Sequence, residues 1–168
     1  LIVVDEQKRK LDNIKISIQQ LIPQLRALPV IKEKQDVLYF KGKEGLKTVY
    51  EDILATKKSY IGYGPGIHID NLLKAYFKDY VIRRIKNGIK LKMIWDELSR
   101  GKYFTKTTFT ESKFLPDDVC SHAALRIYGN KVAIMLLSEE HPIAVVIENK
   151  EIADGYRKYF EVMWKAAK

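Results

Sequence analysis

The feature that most constrains this chain is a heptad repeat over its first 28 residues. Apolar residues recur there at alternating intervals of three and four positions, the spacing of a coiled-coil seam. Pro23 lies outside the seam, where it can bend the helix without removing a packing residue. The seam consists of Val4, Leu11, Ile14, Ile18, Leu21, Leu25 and Leu28, with Gln7 at its one polar position. We predict that residues 1–30 form a linker helix that pairs two copies of the chain, chiefly through Leu11, Ile14, Ile18, Leu21, Leu25 and Leu28.

The seam supplies about as much free energy as association costs. Partial burial of these side chains on two chains gives on the order of 10–20 kcal/mol gross, against an association cost of roughly 4–15 kcal/mol. We therefore expect the globular part of the chain to contribute to the dimer. The alternative is a helix that folds back onto its own domain. The length of the repeat, more than three heptads, favours the dimer.

Beyond Pro29 the pattern changes to alternating strands and helices. Gly129-Asn130 is a two-residue hairpin signal. The apolar patterns predict strands over residues 36–40, 59–63, 89–95, 121–128, 131–137 and 142–148, and helices over residues 42–57, from Asp70 as N-cap to Ile85, and after Asn149. Together these elements predict an α/β domain over residues 34–168, in which one mixed sheet is flanked by helices.

Two further details follow from the apolar pattern. The run at residues 142–148 is almost continuously apolar and predicts a central strand. The closing helix is predicted to pack through Ile152, Tyr156, Tyr159, Phe160, Met163 and Trp164.

The chain is strongly basic, with 30 Lys and Arg residues against 21 Asp and Glu residues and a net charge of +9. Such an excess favours anionic partners without choosing among nucleic acid, phosphorylated ligands and membrane surfaces. From Lys74 to Lys92 the chain has seven basic residues and one acid, Asp79. This stripe is either a contact for the DNA backbone or the solvated side of a helix. The second interpretation is favoured because charged residues commonly flank an apolar stripe.

Composition also bounds the compartment and the chemistry. Cys120 is the single cysteine, which excludes an internal disulfide and a multi-cysteine metal site. The histidines, His68, His122 and His141, lack the spacing of metal ligands, and we expect no cofactor. No apolar run approaches the roughly 20 residues that span a bilayer, and residues 1–4 are too short for a signal peptide. We expect a cytoplasmic protein without membrane contact, of which this chain is one piece.

Two stretches carry a family resemblance. Residues 40–46, Phe-Lys-Gly-Lys-Glu-Gly-Leu, and residues 147–153, Ile-Glu-Asn-Lys-Glu-Ile-Ala, followed by Tyr159, Phe160 and Trp164, resemble the C-terminal domain of archaeal-type TrmB-like transcription regulators. The resemblance implies a phospholipase-D-like fold that senses a small-molecule effector, such as a sugar or a phosphorylated metabolite. It also implies a homodimer, with DNA bound by a winged-helix domain that precedes the linker and is not in this chain.

The catalytic motif of the phospholipase D superfamily is incomplete in this sequence. That motif is His-x-Lys-x4-Asp, in which the Lys holds the phosphate charge. Counted from His122, the Lys position is Ala124 and the Asp position is Gly129. Because the cation carries much of the electrostatic stabilisation, the resemblance implies a domain that is not an enzyme. The rival hypothesis is an active phosphodiester hydrolase that uses His122. A third is a nucleic-acid-binding module built on the Lys74–Lys92 stripe.

Seven residues are candidates for contact with an effector: Tyr63, Gly64, His68, Trp95, Glu97, His122 and Arg126. The glycine-rich loop at residues 62–66 follows a strand, where α/β sheets commonly bind ligands, although tight-turn chemistry explains the glycines equally well. Trp95 beside Glu97 is either a sugar contact or a cap of the sheet edge. Strand alternation points His122 and Arg126 the same way, toward a pocket or an ordinary polar surface.

Cys120 lies two residues before His122 and raises the hypothesis of a Cys–His nucleophile pair. No third residue that would orient the histidine is evident in the sequence. A lone cysteine is usually a small buried hydrophobic residue, and this second interpretation is favoured.

Overall fold

Seven strands and four helices follow one another in the part of the chain that the computed structural model describes, residues 36–116 and 121–168. The strands are β1 (Asp36–Lys41), β2 (Tyr60–Gly64), β3 (Leu91–Asp96), β4 (Thr110–Leu115), β5 (Ala123–Tyr128), β6 (Lys131–Leu136) and β7 (Ile143–Glu148). The helices are α1 (Gly42–Thr56), α2 (Gly66–Leu73), α3 (Ala75–Lys86) and α4 (Lys150–Ala166). The predicted coiled-coil positions and Cys120 lie outside the described residues.

The strands form one mixed sheet in the order β1-β7-β6-β5-β2-β3-β4. β2, β3 and β4 run parallel to one another, whereas β5 is antiparallel to β2 and to β6. The hairpin predicted at Gly129 joins β5 to β6, and its glycine has a φ of 53°. The prediction that the apolar strand β7 is central was wrong: β7 is next to the edge strand β1. Its apolar run instead reflects two apolar faces, one packed under α1 and the other partly exposed.

Three helices cover one face of the sheet and one helix covers part of the other. Helix α1 buries the predicted stripe, Leu46, Val49, Tyr50, Ile53 and Leu54, and packs with α2 and α3 on the larger core. Aromatic rings dominate this core, with Tyr50 4.7 Å from Tyr80 and Trp95 5.1 Å from Phe104 between ring centroids. On the opposite face α4 covers Leu125, Ile127 and Val132 through Ala153 and Phe160.

The single long helix predicted from Asp70 to Ile85 was wrong, because the chain breaks it at Lys74. Lys74 has a φ of 49°, outside the helical region, and its amide donates to the carbonyl of Asp70 at 2.8 Å. The helix also begins four residues earlier than predicted, at Gly66, so that Asp70 lies inside α2 rather than at its N-cap. The break lets Leu73 and Phe77 both reach the core from helices of different direction.

Strand β4 was not predicted, because its sequence Thr-Glu-Ser-Lys-Phe-Leu is largely polar. It is an edge strand of the sheet, and its outer side is covered by the end of the chain. The amide of Phe114 donates to the carbonyl of Lys168 at 2.7 Å, and the amide of Lys168 donates back at 3.1 Å. A tertiary contact, rather than a local apolar pattern, therefore holds this strand.

Helix α4 begins as predicted, with the Asn149 side-chain oxygen accepting from the amide of Ile152 at 3.0 Å. Its predicted packing face is correct for Phe160, which is fully buried, and wrong for Ile152 and Tyr159. Those two side chains are 38% and 67% exposed. The helix rests mainly on β2, β5 and β6, so one flank of it meets no neighbour among the described residues.

Candidate functional site

Two histidines meet at the end of the sheet where β5 begins. His68, in the first turn of α2, and His122, immediately before β5, have ring centroids 4.4 Å apart with the planes at 68°. The position of His122 is fixed by its backbone, because its carbonyl accepts from the amide of Leu137 at 2.8 Å. The turn between β2 and α2 brings His68 to the same place. Both rings remain in contact with solvent.

The histidine pair opens into a surface cavity of about 550 Å³. We call this the His68–His122 cavity, and its lining is completed by Leu136, Ser138, Glu139 and Glu140. A second cavity of about 470 Å³ adjoins it through Glu139, and is also lined by Asp70, Asn71, Lys74, Ala75 and Lys78. The residues described around the first cavity thus include two carboxylates and neither Lys nor Arg.

Ala124, at the Lys position of the motif, is buried against the end of β2. It is 1% exposed, and Gly64 lies directly beside it. A Cβ added to Gly64 would lie 2.7 Å from both the Cα and the Cβ of Ala124, and the φ of +134° at Gly64 is one that other residues rarely adopt. Two small residues are therefore needed for β2 and β5 to approach this closely, and a lysine at position 124 has no room to extend.

Arg126 lies in the core rather than in the cavity. It is 1% exposed, and its guanidinium donates to the carbonyls of Tyr63 at 3.0 Å and Leu125 at 2.9 Å. A longer bond of 3.5 Å reaches the hydroxyl of Tyr50 on α1. The expectation that this face of β5 is a polar surface was wrong beyond His122, because α1 covers it. Only the residues that precede the strand reach solvent.

Tyr128, at the far end of the same face, is also buried. Its hydroxyl donates to Asp52 on α1 at 2.9 Å. Burial, followed by the negative charge of Asp52, raises the pKa of Tyr128 well above its usual range. Tyr128 is therefore a structural group that stays neutral, held between β5 and α1.

The glycine loop at residues 62–66 is explained by packing. A Cβ added to Gly66 would lie 2.5 Å from the ring of Phe104 and 2.7 Å from Trp95. The first amides of α2 already have partners, since that of Gly66 donates to Asp96 at 3.1 Å and that of Ile67 to Ser99 at 3.0 Å. These amides, which open a helix and could have bound an anion, are occupied by side chains of the protein itself.

The remaining candidates lie apart from the histidines. Trp95 is buried, and its indole N–H donates to Ser112 at 3.0 Å. Glu97 is exposed and paired with Arg100. Tyr63 is half-buried on the α4 side of the sheet, where burial and then Tyr156 raise its pKa. Of the seven candidates, the structure brings together His68 and His122, with Gly64 packed behind them.

Sequence reasoning missed the other residues that line the two cavities, among them Ser138, Glu139 and Glu140. A signal for them was available in the hairpin. Because Ala123 pairs with Leu136 across the β5–β6 hairpin, the residues that follow β6 must lie beside His122 at the start of β5. The residues of the second cavity carried no such signal, since α2 and α3 were predicted as one helix.

The basic stripe from Lys74 to Lys92 is dispersed by the fold. Arg84 is buried and donates to the carbonyls of Ile89 and Phe109 and to the hydroxyls of Thr107 and Thr110. Arg83 is paired with Glu51 and Asp79. Lys92 bonds Glu161 on the other face of the sheet. The stripe therefore does not form one continuous cationic surface.

Within the described residues, no group of three or more His, Cys, Asp or Glu side chains is placed to hold a metal ion. No helix there is both long enough and apolar enough to cross a bilayer.

No family model matches the sequence, and no curated protein matches it. Solved structures do match its fold. TrmBL2, described as an archaeal chromatin protein with a novel mode of DNA binding, superposes with a TM-score of 0.59 at 15% identity, over 98% of this chain and 65% of its own. This chain therefore spans about two thirds of the length of TrmBL2.

Two phospholipase D family structures also match. Nuc from Salmonella typhimurium, described as a member of that family, superposes with a TM-score of 0.61 at 16% identity, over 80% of this chain and 97% of its own. NucT from Helicobacter pylori superposes with a TM-score of 0.59 at 9% identity, over 80% of this chain and 98% of its own. The fold predicted from the sequence is confirmed: the described domain has a phospholipase-D-like mixed sheet flanked by helices, of the kind found in TrmBL2, Nuc and NucT.

Proposed function

We propose that this domain senses a small polar effector in the His68–His122 cavity and is the dimer-forming, non-catalytic half of a TrmB-like transcription regulator. The linker helix predicted for residues 1–30 pairs two chains, and DNA is bound by a winged-helix domain outside this chain. The fold shared with TrmBL2, whose description names DNA binding, supports this assignment. A cytoplasmic location follows from the proposed role.

The observation that carries the proposal is the placement of charge around the histidines. Phosphoryl transfer requires cations aimed at the developing negative charge. Here the Lys position holds the buried Ala124, Arg126 is sealed under α1, and the cavity is lined by Glu139 and Glu140. A phosphodiester in this cavity meets carboxylates where it needs a cation. Recognition of another ligand is then a better use of the site than cleavage.

The same lining defines the class of effector. The carboxylates of Glu139 and Glu140 accept hydrogen bonds from hydroxyl groups, and His68, His122 and Ser138 can donate or accept. Two carboxylates disfavour a phosphorylated ligand, which the sequence alone left open. We therefore propose a neutral, hydroxyl-rich molecule such as a sugar.

An effector acts on DNA binding only if it prefers one arrangement of the dimer. The cavity lies where β5, β6 and α2 meet, so that a bound ligand contacts three elements at once. Closure of these elements around the ligand supplies the required difference in affinity between two arrangements. The linker helices then transmit the difference to the DNA-binding domains.

A thermal-shift screen of neutral sugars, sugar phosphates and nucleotides tests the effector. We expect a neutral sugar to stabilise the chain, by about 2.7 kcal/mol when present at about 100 times its dissociation constant. Glu139→Gln should abolish most of this stabilisation. The matched control is Glu111→Gln, at an exposed carboxylate of β4, which should retain it. Stabilisation by phosphorylated compounds alone would contradict the assigned ligand class.

The second candidate function is a phosphodiester hydrolase, favoured by the contact between His68 and His122. Phospholipase D chemistry employs a histidine nucleophile, and two neighbouring imidazoles offer a nucleophile and a proton donor. This candidate predicts turnover of a generic phosphodiester that His122→Ala abolishes.

A further inference from the structure

The sheet has an apolar face that the described residues leave open. On the α4 side, β1, β7 and β6 present cross-strand rows of apolar side chains, in which Tyr39 is beside Val145 and Val145 is beside Ile134. We call this set the open face; it consists of Val37, Tyr39, Ile134, Leu136, Ile143, Val145 and Ile147. Val37 is 69% exposed and Tyr39 54%. A contiguous apolar surface of this kind marks an interaction site.

Helix α4 forms a step beside the open face, and the flank of that step is apolar too. Ile152, Tyr159 and Val162 share one side of the helix and are 38%, 67% and 70% exposed. Glu161, on the other side, bonds Lys92 of β3 at 3.0 Å. Because β3 lies toward one edge of the sheet and β7 and β1 toward the other, the apolar flank is turned to the open face.

We propose that the open face is covered by α4 of a second copy of this chain. A face of which half carries a helix and half is bare is complementary to itself under a twofold axis parallel to that helix. Each α4 then lies on the bare strands of the other copy, and the same residues are buried on both sides. The interface is therefore closed and needs no third copy. The inference rests on the dimer of the proposed function and names its surface in the globular domain.

The dimer axis has an anchor point for a protruding side chain. A cavity of about 380 Å³ lies at the end of the open face, lined by Tyr39, Lys41, Gly42, Glu140, His141, Pro142 and Ile143. Tyr159 is the most exposed aromatic residue described, at 67%, and stands on the apolar flank of α4. An aromatic ring that enters such a pocket commonly dominates the energetics of an interface.

A second copy is the favoured occupant because the chain itself delivers one. The predicted coiled-coil seam ends at Leu28, seven residues before Asp36 opens β1, and β1 is the edge strand of the open face. Seven residues span at most roughly 25 Å. Two chains paired through the seam would have their β1 strands near each other at a high effective concentration.

Sedimentation equilibrium on the whole chain tests the surface. Val162→Glu introduces a charge at a position 70% exposed in the single domain, so that folding should be unaffected. We expect it to weaken dimerisation by at least ~10-fold. The matched control is Ile82→Glu, 64% exposed on α3 at the opposite side of the sheet, which should leave the dissociation constant unchanged. Circular dichroism verifies that both variants are folded.

A mixing experiment tests the geometry independently. In a Cys120→Ser background, chains with Val162→Cys are mixed with chains with Val37→Cys and treated with a short bifunctional thiol reagent. We expect cross-linked mixed dimers, because α4 of one copy lies on β1 of the other. Chains with Ile82→Cys in place of Val162→Cys should give none.

The outcomes separate this inference from the proposed function. A wild-type dimer that Val162→Glu does not weaken would overturn the assigned surface and leave the coiled-coil dimer intact. A wild-type monomer whose melting temperature falls in Val162→Glu would show that the face is covered within one chain, and would overturn both the surface and the dimer. Effector binding is measured separately by thermal shift, so neither result decides it.

Discussion

Arginines and carboxylates occupy opposite regions of this domain: Arg84 and Arg126 lie in the core, while Glu139 and Glu140 line the His68–His122 cavity. The core arginines bond mainly to carbonyls and hydroxyls. A site for phosphate chemistry needs the reverse arrangement, with guanidinium or ammonium groups facing the ligand. The net charge of +9 would have suggested a phosphate-binding protein. The position of the charges, rather than their number, decides what the cavity can bind.

The difference also separates two structural roles of the β2–β5 contact. At its outer end the contact presents His122 to solvent, and two residues further Ala124 is packed against Gly64. The transition from surface to core therefore falls within the catalytic motif itself. A histidine can be retained at such a boundary, whereas an extended cation two residues later cannot.

The largest effect is expected in the core, where Arg84→Lys should destabilise the fold by about 2–4 kcal/mol. A single ammonium group cannot bond to the four acceptors that surround the guanidinium in the described structure. The adjacent variant Arg83→Lys is the control, because Arg83 pairs with Glu51 at the surface and should cost less than ~1 kcal/mol. Urea unfolding measures both. Equal losses would contradict the distinction between core and surface arginines.

The next effect concerns the close approach of β2 and β5. Gly64→Ala should cost about 1–3 kcal/mol, because the new methyl group meets Ala124 and the φ of +134° becomes strained. Gly155→Ala, in α4, is the matched control, since a Cβ there meets nothing within 4 Å. Alanine in a helix should stabilise by roughly 0.5–1 kcal/mol. Thermal unfolding checks the opposite signs, and a tolerated Gly64→Ala would mean that position 124 has room for a lysine.

A smaller effect is expected from alkaline pH. Burial raises the pKa values of Tyr50, Tyr80 and Tyr128 above the ordinary value of about 10. Above pH 10 the unfolded chain loses these protons while the folded chain retains them, so stability should decrease as the pH rises. Ultraviolet titration at pH 11 should show these three phenols still protonated in the folded protein. Full ionisation of all ten tyrosines without unfolding would contradict their burial.

Local sequence signals predicted much of the fold. The Asn149 cap, the Gly129 turn and the apolar stripe of α1 each depend on a few neighbouring residues, and each was correct. The break at Lys74 and the polar strand β4 depend on contacts distant in sequence, and neither was predicted. The burial of Arg126 belongs to the second group. Strand alternation gives the face of a side chain but not what covers that face.

The site was predictable to the same extent. His122 and the missing lysine follow from the spacing of the motif, and Glu139 was within reach of hairpin register. His68 approaches His122 only because β2 pairs with β5, a contact that spans about sixty residues. No periodicity in the sequence encodes that pairing.

The most direct measurement of the central claim is hydrolysis of bis(4-nitrophenyl) phosphate by the wild-type chain, His122→Ala and Glu111→Gln. A domain whose cavity is lined by acids and whose arginines are buried should release nitrophenolate at the rate of buffer in all three. A rate well above that background, retained in Glu111→Gln and lost in His122→Ala, would contradict the assignment of this domain as a sensor.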